Sequence, residues 1–420
     1  MSAPGARLWR EPLLRARWFQ GKGLPIDGLT WRPLPWYVAQ GNTWVRSELI
    51  TAHTGDDEAT YHLLVGYLTV GAAEPAALIG QAELPGRGLV DVVDAPHSPA
   101  AMAAFLSAVA GASLPNVNWL DAPPDPNAKT TVFAGEQTNT TVQIGDNVLF
   151  KIWRKLSPGP NLESQVLAAL GRCDITPELI GVLSTTDGGF ELGMFSQRIE
   201  QAEDGWDWCV QACRAGRPVD AQLRQLGATL RRLHAELAGV FGTSVVDAAD
   251  IGAQMQARLD DACAQTPELG AWQPRLRDVF SLPALPIEVQ RVHGDFHLGQ
   301  ALFSPSGWTI IDFEGEPLKT PSQRAAPDAV WRDVAGLLRS LDYARRNHQA
   351  PDGDQARQWY LQARTAFLGG YLGSVLPPQA MLTAYEVDKA IYELVYETRN
   401  RPAWADIPRQ AIAEAIGQAG

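Results

Sequence analysis

The chain has 420 residues and a formal net charge of −12; 45% of its residues are hydrophobic and 20% are charged. This composition is that of an ordinary globular protein, and the length indicates two or three domains. The acidic balance, without any Lys/Arg cluster, argues against a nucleic-acid partner. The N-terminus has no apolar signal region, and no run of about 18 apolar residues could span a membrane. Four cysteines without metal-type spacing fit a reducing compartment. We therefore expect a cytoplasmic monomer or homodimer.

Residues 1–105 alternate as strands do. The segments TWVRSELITAH and ATYHLLVGYLTV are rich in β-branched and aromatic residues, and TGDDE separates them. The region ends in SPAAMAAFLSAVAGA, a predicted helix that Ser98 would cap. The Pro- and Asp-rich segment LDAPPDPNAKT then reads as a connection. These patterns predict a β-rich N-terminal domain.

Residues 106–202 form a second β-rich region. TVFAGEQTNTTVQIGDNVLFKIWRKL predicts three strands, with GDN as a hairpin turn between the last two. NLESQVLAALG has helical periodicity and a glycine stop, and LIGVLSTTDGGFELGMFSQRIE predicts another hairpin. We expect a small lobe of strands with one helix.

Residues 203–420 are mainly helical. DAQLRQLGATLRRLHAEL, WRDVAGLLRSLDYARR and AYEVDKAIYELVYETRN are amphipathic, and two short strands, ALFS and WTIIDFE, interrupt the helices. Cys209 and Cys213 are expected to be small core residues of a helix. The fold class is therefore predicted as α+β, with two β-rich regions followed by a helical lobe.

Two segments, RVHGDFHLGQALF and WTIIDFEGEP, set polar side chains among apolar runs. Such an arrangement is costly unless the polar groups share a ligand or a cation. Phosphoryl transfer requires a phosphate-binding lysine with a carboxylate partner, a base and metal ligands. Lys151 would be the phosphate-binding lysine and Glu163 its carboxylate partner. Asp295 would be the base. Gln300, five residues after Asp295, and Asp312 would bind Mg²⁺ through hard oxygen ligands.

The segments GEQTNTTV, HGDFHLGQ, IDFEGEP, RDVAGLLRSLDYA and YETRNRPAW resemble the maltokinase-like branch of the aminoglycoside phosphotransferase family. Maltokinases and actinobacterial glucosamine kinases belong to this branch. RARWFQGKG resembles the branch's N-terminal cap domain. The resemblance implies ATP-dependent kinase activity and a bilobal eukaryotic-like kinase fold. The cap would then cover residues 1–105, the N-lobe 106–202 and the C-lobe 203–420.

The nucleotide contacts are predicted from the second β-rich region. Thr138, Asn139 and Thr140 would donate to phosphate oxygens, unless they form only a solvated hairpin tip. Backbone near Gln197 and Ile199 would contact adenine. Two alternatives stay open: Lys151 as a snorkelling edge lysine, and Glu163 as a first-turn carboxylate favoured by the helix dipole.

The residues around the base are expected to be mostly structural. His293 braces the catalytic loop, and His297 is a satisfied core histidine. Asp333 caps its helix or braces the loop through Arg332 or His293.

Four further charged residues complete this region. Glu314 reaches the metal through water, and Glu316 receives no role. Arg339 and Asp342 are expected to be helix-face charges.

The helix DKAIYELVYETRNRPAW would supply the acceptor site. A stacking aromatic ring with carboxylates is a common way to hold a pyranose, and a carboxylate also pairs with an ammonium group. The apolar face of this helix is predicted to be Ile391, Leu394, Val395 and Thr398. The predicted substrate residues on its other faces, or just beyond it, are Glu393, Tyr396, Glu397, Arg401 and Trp404. Asp295 is the further predicted substrate residue. The alternative is a surface ion-pair ladder of Lys389, Glu393, Glu397 and Arg401.

Glucosamine is the favoured acceptor, phosphorylated to glucosamine 6-phosphate. The loop QTNTT and the segment PAWADIP depart from the pattern expected of maltokinases, although maltose phosphorylation to maltose 1-phosphate stays an alternative. An antibiotic kinase and an inactive nucleotide-binding scaffold on the same fold are remoter alternatives.

Overall fold

In the computed structural model, the alternating segments near the N-terminus form an antiparallel six-stranded sheet. The model describes residues 6–19, 21, 25–39, 41–55, 57–111, 114, 116–133, 138–316, 319–375 and 377–417. Helix α1 (Ala6–Arg15) buries Trp9 and Leu13 in the core of this sheet. The strands, in the order β1-β2-β3-β5-β4, are β1 (Gly28–Val38), β2 (Thr43–Thr54), β3 (Asp57–Thr69), β4 (Leu78–Leu84) and β5 (Gly88–Asp94).

A second antiparallel sheet has the strand order β6-β11-β12-β9-β8-β7. Its first three strands are β6 (Val117–Trp119), β7 (Thr130–Val132) and β8 (Thr140–Ile144). The others are β9 (Val148–Ile152), β11 (Leu179–Ser184) and β12 (Glu191–Gln197), while β10 (Lys155–Leu156) pairs with β3 of the first sheet. The predicted GDN turn is confirmed: it joins β8 to β9, with Gly145 at φ 57°.

Two further helices accompany these sheets, and they confirm the predicted Ser98 cap and the predicted glycine stop. Helix α2 (Pro99–Gly111) follows a 3₁₀ turn (Ala95–His97), and the hydroxyl of Ser98 accepts from Ala101 N–H at 3.4 Å. Helix α3 (Leu162–Leu170) is capped by Asn161, whose side chain accepts from the backbone N–H of Glu163, and it ends at Gly171.

The two sheets share a core. Phe105 of α2 lies 5.2 Å from Tyr37 and 5.5 Å from Phe150 between ring centroids, and Phe150 stacks on Phe195 at 4.2 Å. His62, on β3, contacts Ser47 Oγ through Nε2 (2.8 Å) and the backbone oxygen of Trp153 through Nδ1 (3.2 Å). Both sheets belong to one compact unit, Met1–Gly171 with Pro177–Glu200, called here the first unit.

The second unit comprises Arg172–Thr176 and Gln201–Gly420. It contains the two small antiparallel sheets β13-β16-β17 and β14-β15. Their strands are β13 (Glu203–Asp204), β14 (Thr243–Asp247), β15 (Pro286–Gln290), β16 (Ala301–Ser304) and β17 (Gly307–Ile310).

Helices make up most of the second unit. The first four are α4 (Gly205–Arg214), α5 (Asp220–Phe241), α6 (Ala248–Gln265) and α7 (Gln273–Val279). The others are α8 (Pro321–Ala325), α9 (Trp331–Arg346), α10 (Asp354–Leu372), α11 (Gln379–Asn400) and α12 (Asp406–Ala415). Short 3₁₀ turns cover Pro267–Ala271, Leu298–Gln300 and Pro402–Trp404. Cys209 and Cys213 are buried in α4, so their predicted core role is confirmed.

The α+β prediction is confirmed, but one strand is shorter than expected. WTIIDFE leaves the sheet after Ile310, because Asp312 adopts a left-handed backbone conformation with φ 64° that an extended strand cannot contain. The boundaries at 105 and 202 stay predictions, and α2 crosses the first of them. Within the described ranges, no helix has both the length and the apolar content that crossing a membrane requires.

Burial of His62 predicts a pH-dependent stability. Burial, with a smaller effect of Arg154, lowers the pKa of His62 to about 3. An unfolded histidine has a pKa of about 6.5, so between these values only the unfolded chain takes up the proton. The free energy of unfolding should therefore fall by about 2 kcal/mol between pH 7 and pH 5 because of this residue.

Denaturant titrations across this pH range check the expectation. His62→Gln should reduce the loss of stability between pH 7 and pH 5. His97→Gln, which removes a histidine whose side chain is 46% exposed, should leave the loss unchanged. An equal pH dependence in the unsubstituted protein and in His62→Gln would contradict it.

Candidate active site

The backbone of the predicted catalytic loop is held by Asp333, in the first turn of α9. This side chain is fully buried, and its two oxygens accept from the backbone N–H groups of His293 and Gly294, each at 2.8 Å. His234 Nε2 lies 2.9 Å from the same carboxylate. Burial raises the pKa of Asp333, but the hydrogen bond and charge of His234 outweigh it, and the pKa is lowered. The predicted bracing role of Asp333 is confirmed.

Arg332 and His293 complete the bracing. Arg332 Nε donates to the backbone oxygen of Gly294 at 3.2 Å. His293 is buried; its Nε2 donates to the backbone oxygen of Ile311 at 2.9 Å, and its Nδ1 accepts from Asp295 N–H at 3.4 Å. His293 therefore ties the loop of Asp295 to the segment that enters Asp312, which confirms its structural role.

The predicted metal ligands Gln300 and Asp312 lie together. Gln300 Nε2 donates to Asp312 Oδ2 at 3.1 Å, and the backbone oxygen of Gln300 accepts from Ile311 N–H at 3.0 Å. A non-glycine residue with φ near 64° stores strain of order 1 kcal/mol, and such strain concentrates at functional sites. The amide oxygen of Gln300 and the carboxylate of Asp312 are hard ligands that suit Mg²⁺.

Glu314 and His297 flank this pair. The backbone oxygen of Glu314 accepts from Arg324 Nη1 at 3.1 Å, which fixes the turn after Asp312. His297 Nδ1 accepts from Gly299 N–H at 3.1 Å and caps the 3₁₀ turn that carries Gln300. Burial lowers the pKa of His297. His297 is therefore hydrogen-bonded as predicted, but it is only partly buried and is not a core residue.

A lysine that the sequence places in a surface ladder contacts the predicted base. Lys389 Nζ, on α11, lies 3.0 Å from Asp295 Oδ1 and 2.9 Å from Glu316 Oε1. Burial lowers the pKa of Lys389, but the carboxylates of Glu316 and Asp295 outweigh it and raise the pKa above its ordinary value. Lys389 is thus held as an ammonium ion beside Asp295.

Glu316, which sequence reasoning leaves without a role, is the anionic centre of this network. Its side chain is 3% exposed and also accepts from Arg332 Nη2 at 2.8 Å and Lys319 Nζ at 3.0 Å. Burial raises the pKa of Glu316, but Lys389, then Arg332 and Lys319, lower it well below its ordinary value. The DFEGEP motif contains this residue, but two of its partners, Arg332 and Lys389, lie on helices α9 and α11.

The predicted substrate residue Glu393 also has a buried cation beside it. Its Oε2 accepts from Arg339 Nε at 2.9 Å and Nη2 at 2.8 Å, and Arg339 Nη1 donates to Asp342 at 3.1 Å. Burial raises the pKa of Glu393 more than Arg339 lowers it. The expectation that Arg339 and Asp342 are helix-face charges is wrong, because both side chains are only 6% exposed.

Glu397, Arg401 and Trp404 form a cluster at the end of α11. Arg401 binds both carboxylate oxygens of Glu397, at 2.9 and 2.8 Å. The Arg401 guanidinium lies 5.2 Å from the Trp404 ring centroid and 5.5 Å from that of Tyr396. Trp404 stacks against Tyr343 at 6.0 Å. An aromatic surface beside a carboxylate is thus present where the sequence predicts one.

Two details of α11 are corrected. The ladder interpretation is wrong for Lys389 and Glu393, because each pairs with another element; only Glu397 and Arg401 pair along the helix. The predicted apolar face is wrong for Thr398, which is exposed, while Glu397 is buried. Spacing along α11 does not reveal these partners, because Lys389 pairs with Asp295 and Glu393 with Arg339 of α9.

In the first unit, the predicted lysine–carboxylate pair is present. Lys151 Nζ, on β9, lies 2.7 Å from Glu163 Oε2, in the first turn of α3. Both side chains are largely buried, at 17% and 7% exposure. Lys151 is therefore not a snorkelling edge residue. The contact of this pair with a nucleotide stays a prediction.

The predicted phosphate loop is held by Arg154. Its Nε donates to Thr140 Oγ1 at 2.7 Å, and its backbone N–H donates to Asn139 Oδ1 at 3.3 Å. Its Nη2 donates to Asp94 at 3.0 Å. Thr138 is exposed beside them. Residues 135–137 of the motif GEQTNT lie outside the described residues. Phosphate binding by residues 138–140 stays a prediction.

The predicted adenine segment follows β12. Gln197 ends this strand, its N–H donates to the backbone oxygen of Glu178 at 2.9 Å, and Arg198 N–H donates to Asn147 at 2.7 Å. Ile199 is partly exposed in the connection that follows. The adenine contact stays a prediction.

Two cavities of the second unit border α11 or the turn that follows it. A cavity of about 300 Å³ is lined by Lys389, Glu316, Tyr392 and Arg332, among others. A second, of about 310 Å³, is bordered by Trp404 and Asp406. Space for small molecules therefore lies beside α11 and beside the turn that follows it.

Two known protein-family models match this chain. A model described as the phosphotransferase enzyme family matches residues 129–368, more than half of the chain. The chain belongs to this family. A model of the maltokinase N-terminal cap domain matches residues 13–97, so the family resemblance and the presence of a cap are confirmed.

Two curated relatives are named glucosamine kinases. The one from Streptacidiphilus jiangxiensis is 32% identical, and the match covers 67% of this chain and 72% of the relative. The one from Mycolicibacterium smegmatis (strain ATCC 700084 / mc(2)155) is 28% identical, with 67% and 78% covered.

Solved structures support the kinase fold. A glucosamine kinase in complex with glucosamine, ADP and inorganic phosphate is 24% identical, has a TM-score of 0.66, and aligns over 99% of both chains. A second crystal form has a TM-score of 0.69 over 97% of this chain and 99% of that one. The predicted kinase fold is confirmed.

The buried contacts of Asp333 predict a coupled loss of stability and rate. Asp333→Asn puts an amide N–H where a backbone N–H now donates, so we expect the free energy of unfolding to fall by about 3 kcal/mol. Displacement of the loop should lower kcat about 100-fold. Denaturant titration and steady-state kinetics check both values. The control is Asp354→Asn, an exposed first-turn aspartate of α10, which should change stability by less than about 0.5 kcal/mol. Equal effects of the two variants would contradict the role of Asp333.

Proposed function

We propose that this phosphotransferase is an ATP-dependent glucosamine kinase that forms glucosamine 6-phosphate. The observation that carries the proposal is the joined pair of loops in the second unit. Asp295 follows a backbone fixed by Asp333, and Gln300 bonds to Asp312 at 3.1 Å. The 32% identical relative named glucosamine kinase supports the acceptor.

In the proposed reaction, the carboxylate of Asp295 accepts the proton of the acceptor hydroxyl. The hydroxyl oxygen then bonds to the γ-phosphorus of ATP, and the bond from that phosphorus to the β-phosphate oxygen breaks, releasing ADP. Gln300 and Asp312 would hold Mg²⁺, with Glu314 reaching it through water, and the ion would neutralise phosphate charge. Their oxygen donors fit this ion.

The first unit would supply the nucleotide contacts. Lys151, fixed by its 2.7 Å pair with Glu163, would bind phosphate oxygens. Thr138, Asn139 and Thr140, at the start of β8, would add donors to phosphate oxygens. Backbone near Gln197 and Ile199 would contact adenine.

The acceptor would bind along α11. Glu393 lies one turn beyond Lys389, about 6 Å along the helix axis, and Glu397 lies one turn further. The bonds from Arg339 both fall on Oε2 of Glu393, which leaves Oε1 for the ammonium of glucosamine. Tyr396, Arg401 and Trp404 would contact the ring and its hydroxyls.

The position of phosphorylation follows from the charge next to the base. The ammonium of Lys389 lies 3.0 Å from Asp295, so a second ammonium close to Asp295 would be repelled. In glucosamine the amine is on C2, next to the hydroxyls on C1 and C3. The hydroxyl on C6 is remote from the amine, which favours glucosamine 6-phosphate.

Maltose is a second candidate, because the cap domain matches a model named for maltokinases. The stacked rings of Tyr343 and Trp404 offer an aromatic surface to a second sugar ring. Maltose lacks an amine, so it would make no use of the free oxygen of Glu393.

The acceptor is tested by a sugar screen with product analysis. With ATP and Mg²⁺, we expect kcat/KM for glucosamine to exceed that for glucose about 10- to 100-fold, the value of one charge-assisted hydrogen bond. N-Acetylglucosamine, which has no ammonium, is the matched control and should react as poorly as glucose. Efficient phosphorylation of maltose without turnover of glucosamine would reverse the assignment.

The base is tested by Asp295→Asn. An amide cannot accept the proton, so kcat should fall at least about 100-fold, while the affinity for Mg²⁺–ADP, measured by calorimetry, stays within about threefold. A variant with normal turnover would remove Asp295 from the reaction. Absence of any sugar-dependent ATP consumption by the intact enzyme would instead favour an inactive scaffold.

A further inference from the structure

We infer that Lys389 is a positioning residue for Asp295, and that its ammonium fixes the carboxylate in the orientation that transfer requires. The inference rests on the proposed function, because it concerns the same base. It is carried by contacts that all lie within the second unit.

The ammonium contacts three groups. Nζ lies 3.0 Å from Asp295 Oδ1 and 2.9 Å from Glu316 Oε1, and 4.9 Å from the ring centroid of Tyr392. The Lys389 side chain is 19% exposed. Two carboxylates and an aromatic face around one ammonium leave it little freedom to move.

Glu316 is itself fixed from the side away from Lys389. Arg332 Nη2 donates to Glu316 Oε2 at 2.8 Å, and the same guanidinium donates to Asp328 at 2.8 Å and to Gly294 O at 3.2 Å. Gly294 is the residue before Asp295. The Arg332 guanidinium therefore holds both the backbone before Asp295 and, through Glu316, the ammonium of Lys389. Together these contacts fix the backbone and one side-chain oxygen of Asp295.

This arrangement distinguishes the two oxygens of Asp295. Oδ1 accepts from Lys389, so Oδ2 is the oxygen available to the acceptor hydroxyl. The carboxylate of Asp295 is 20% exposed, and an unpaired carboxylate at that depth would rotate or bind water. A base must lie within hydrogen-bond reach of the proton it takes, and a displacement of about 1 Å costs about 100-fold in rate.

The test compares two lysines that share Glu316. Lys319 also pairs with Glu316, at 3.0 Å, but through Oε2, whereas Lys389 joins Oε1 of Glu316 to Asp295. Lys389→Met and Lys319→Met remove the same charge from the same carboxylate, but only the first removes the partner of Asp295. Lys389→Arg restores a cation.

For Lys389→Met, we expect kcat to fall about 100-fold while KM for ATP and for the sugar change by less than about threefold. Lys319→Met should keep kcat within about threefold of the intact enzyme, and Lys389→Arg should recover at least about tenfold over Lys389→Met. Equal kcat values for Lys389→Met and Lys319→Met, or a loss confined to KM, would overturn the inference.

A folding defect is separated from the effect on rate by a charge-balanced variant. If Lys389→Met is unstable because Glu316 loses a partner, the double variant Lys389→Met/Glu316→Gln removes both charges. Its kcat should stay about 100-fold low, since Asp295 still lacks the ammonium. Glu316→Gln alone should keep a higher kcat than the double variant. Equal kcat values for Glu316→Gln and for the double variant would overturn the inference.

Failure of the glucosamine assignment can be distinguished from failure of the inference about Lys389. The kinetics use whichever sugar the intact enzyme phosphorylates in the screen, so rejection of glucosamine alone leaves the lysine comparison intact. If no sugar reacts, carboxyl ¹³C NMR reads the same contact without turnover. The Asp295 signal, assigned with Asp295→Asn, should shift in Lys389→Met and not in Lys319→Met. An unmoved signal in Lys389→Met would overturn the inference.

Discussion

The contact between Asp333 and the backbone of His293 and Gly294 fixes the chain just before Asp295, and the proposed site depends on it. A buried carboxylate is costly unless each oxygen is bonded, and here two backbone N–H groups and His234 supply the partners. Because those N–H groups belong to the residues just before Asp295, satisfying Asp333 places the proposed base. The hydrogen bonds of Gln300 to Ile311 and Asp312 then bring the proposed metal-binding side chains together.

Helix α11 carries the rest of the proposed acceptor chemistry. Lys389, Glu393 and Glu397 follow one another at intervals of one turn, and each contacts a different group: Asp295, Arg339 and Arg401. One rigid helix thus relates the base to the carboxylates that would bind the sugar. These ion pairs have two effects. They offset the cost of burying the charged groups, and they fix the positions of those groups.

Sequence reasoning succeeded where partners are close along the chain. The hairpins, the capped α3 and the Lys151–Glu163 pair follow from local periodicity and from motifs spaced by about a dozen residues. It failed where partners are distant: Lys389 and Asp295 are separated by 94 positions, and Arg339 and Glu393 by 54. Spacing by four left a surface ladder open as an alternative for Lys389 and Glu393, but their pairing with Asp295 and with Arg339 of α9 overrides that local preference.

The central claim is that the second unit's loops direct a phosphoryl group from ATP to a sugar hydroxyl. Mass spectrometry of the product formed from ATP labelled with ¹⁸O on its three non-bridging γ-oxygens tests this most directly. The account predicts glucosamine phosphate that carries all three labelled oxygens, with the sugar's own oxygen in the bridge. Label found only in inorganic phosphate, with glucosamine unchanged, would contradict it.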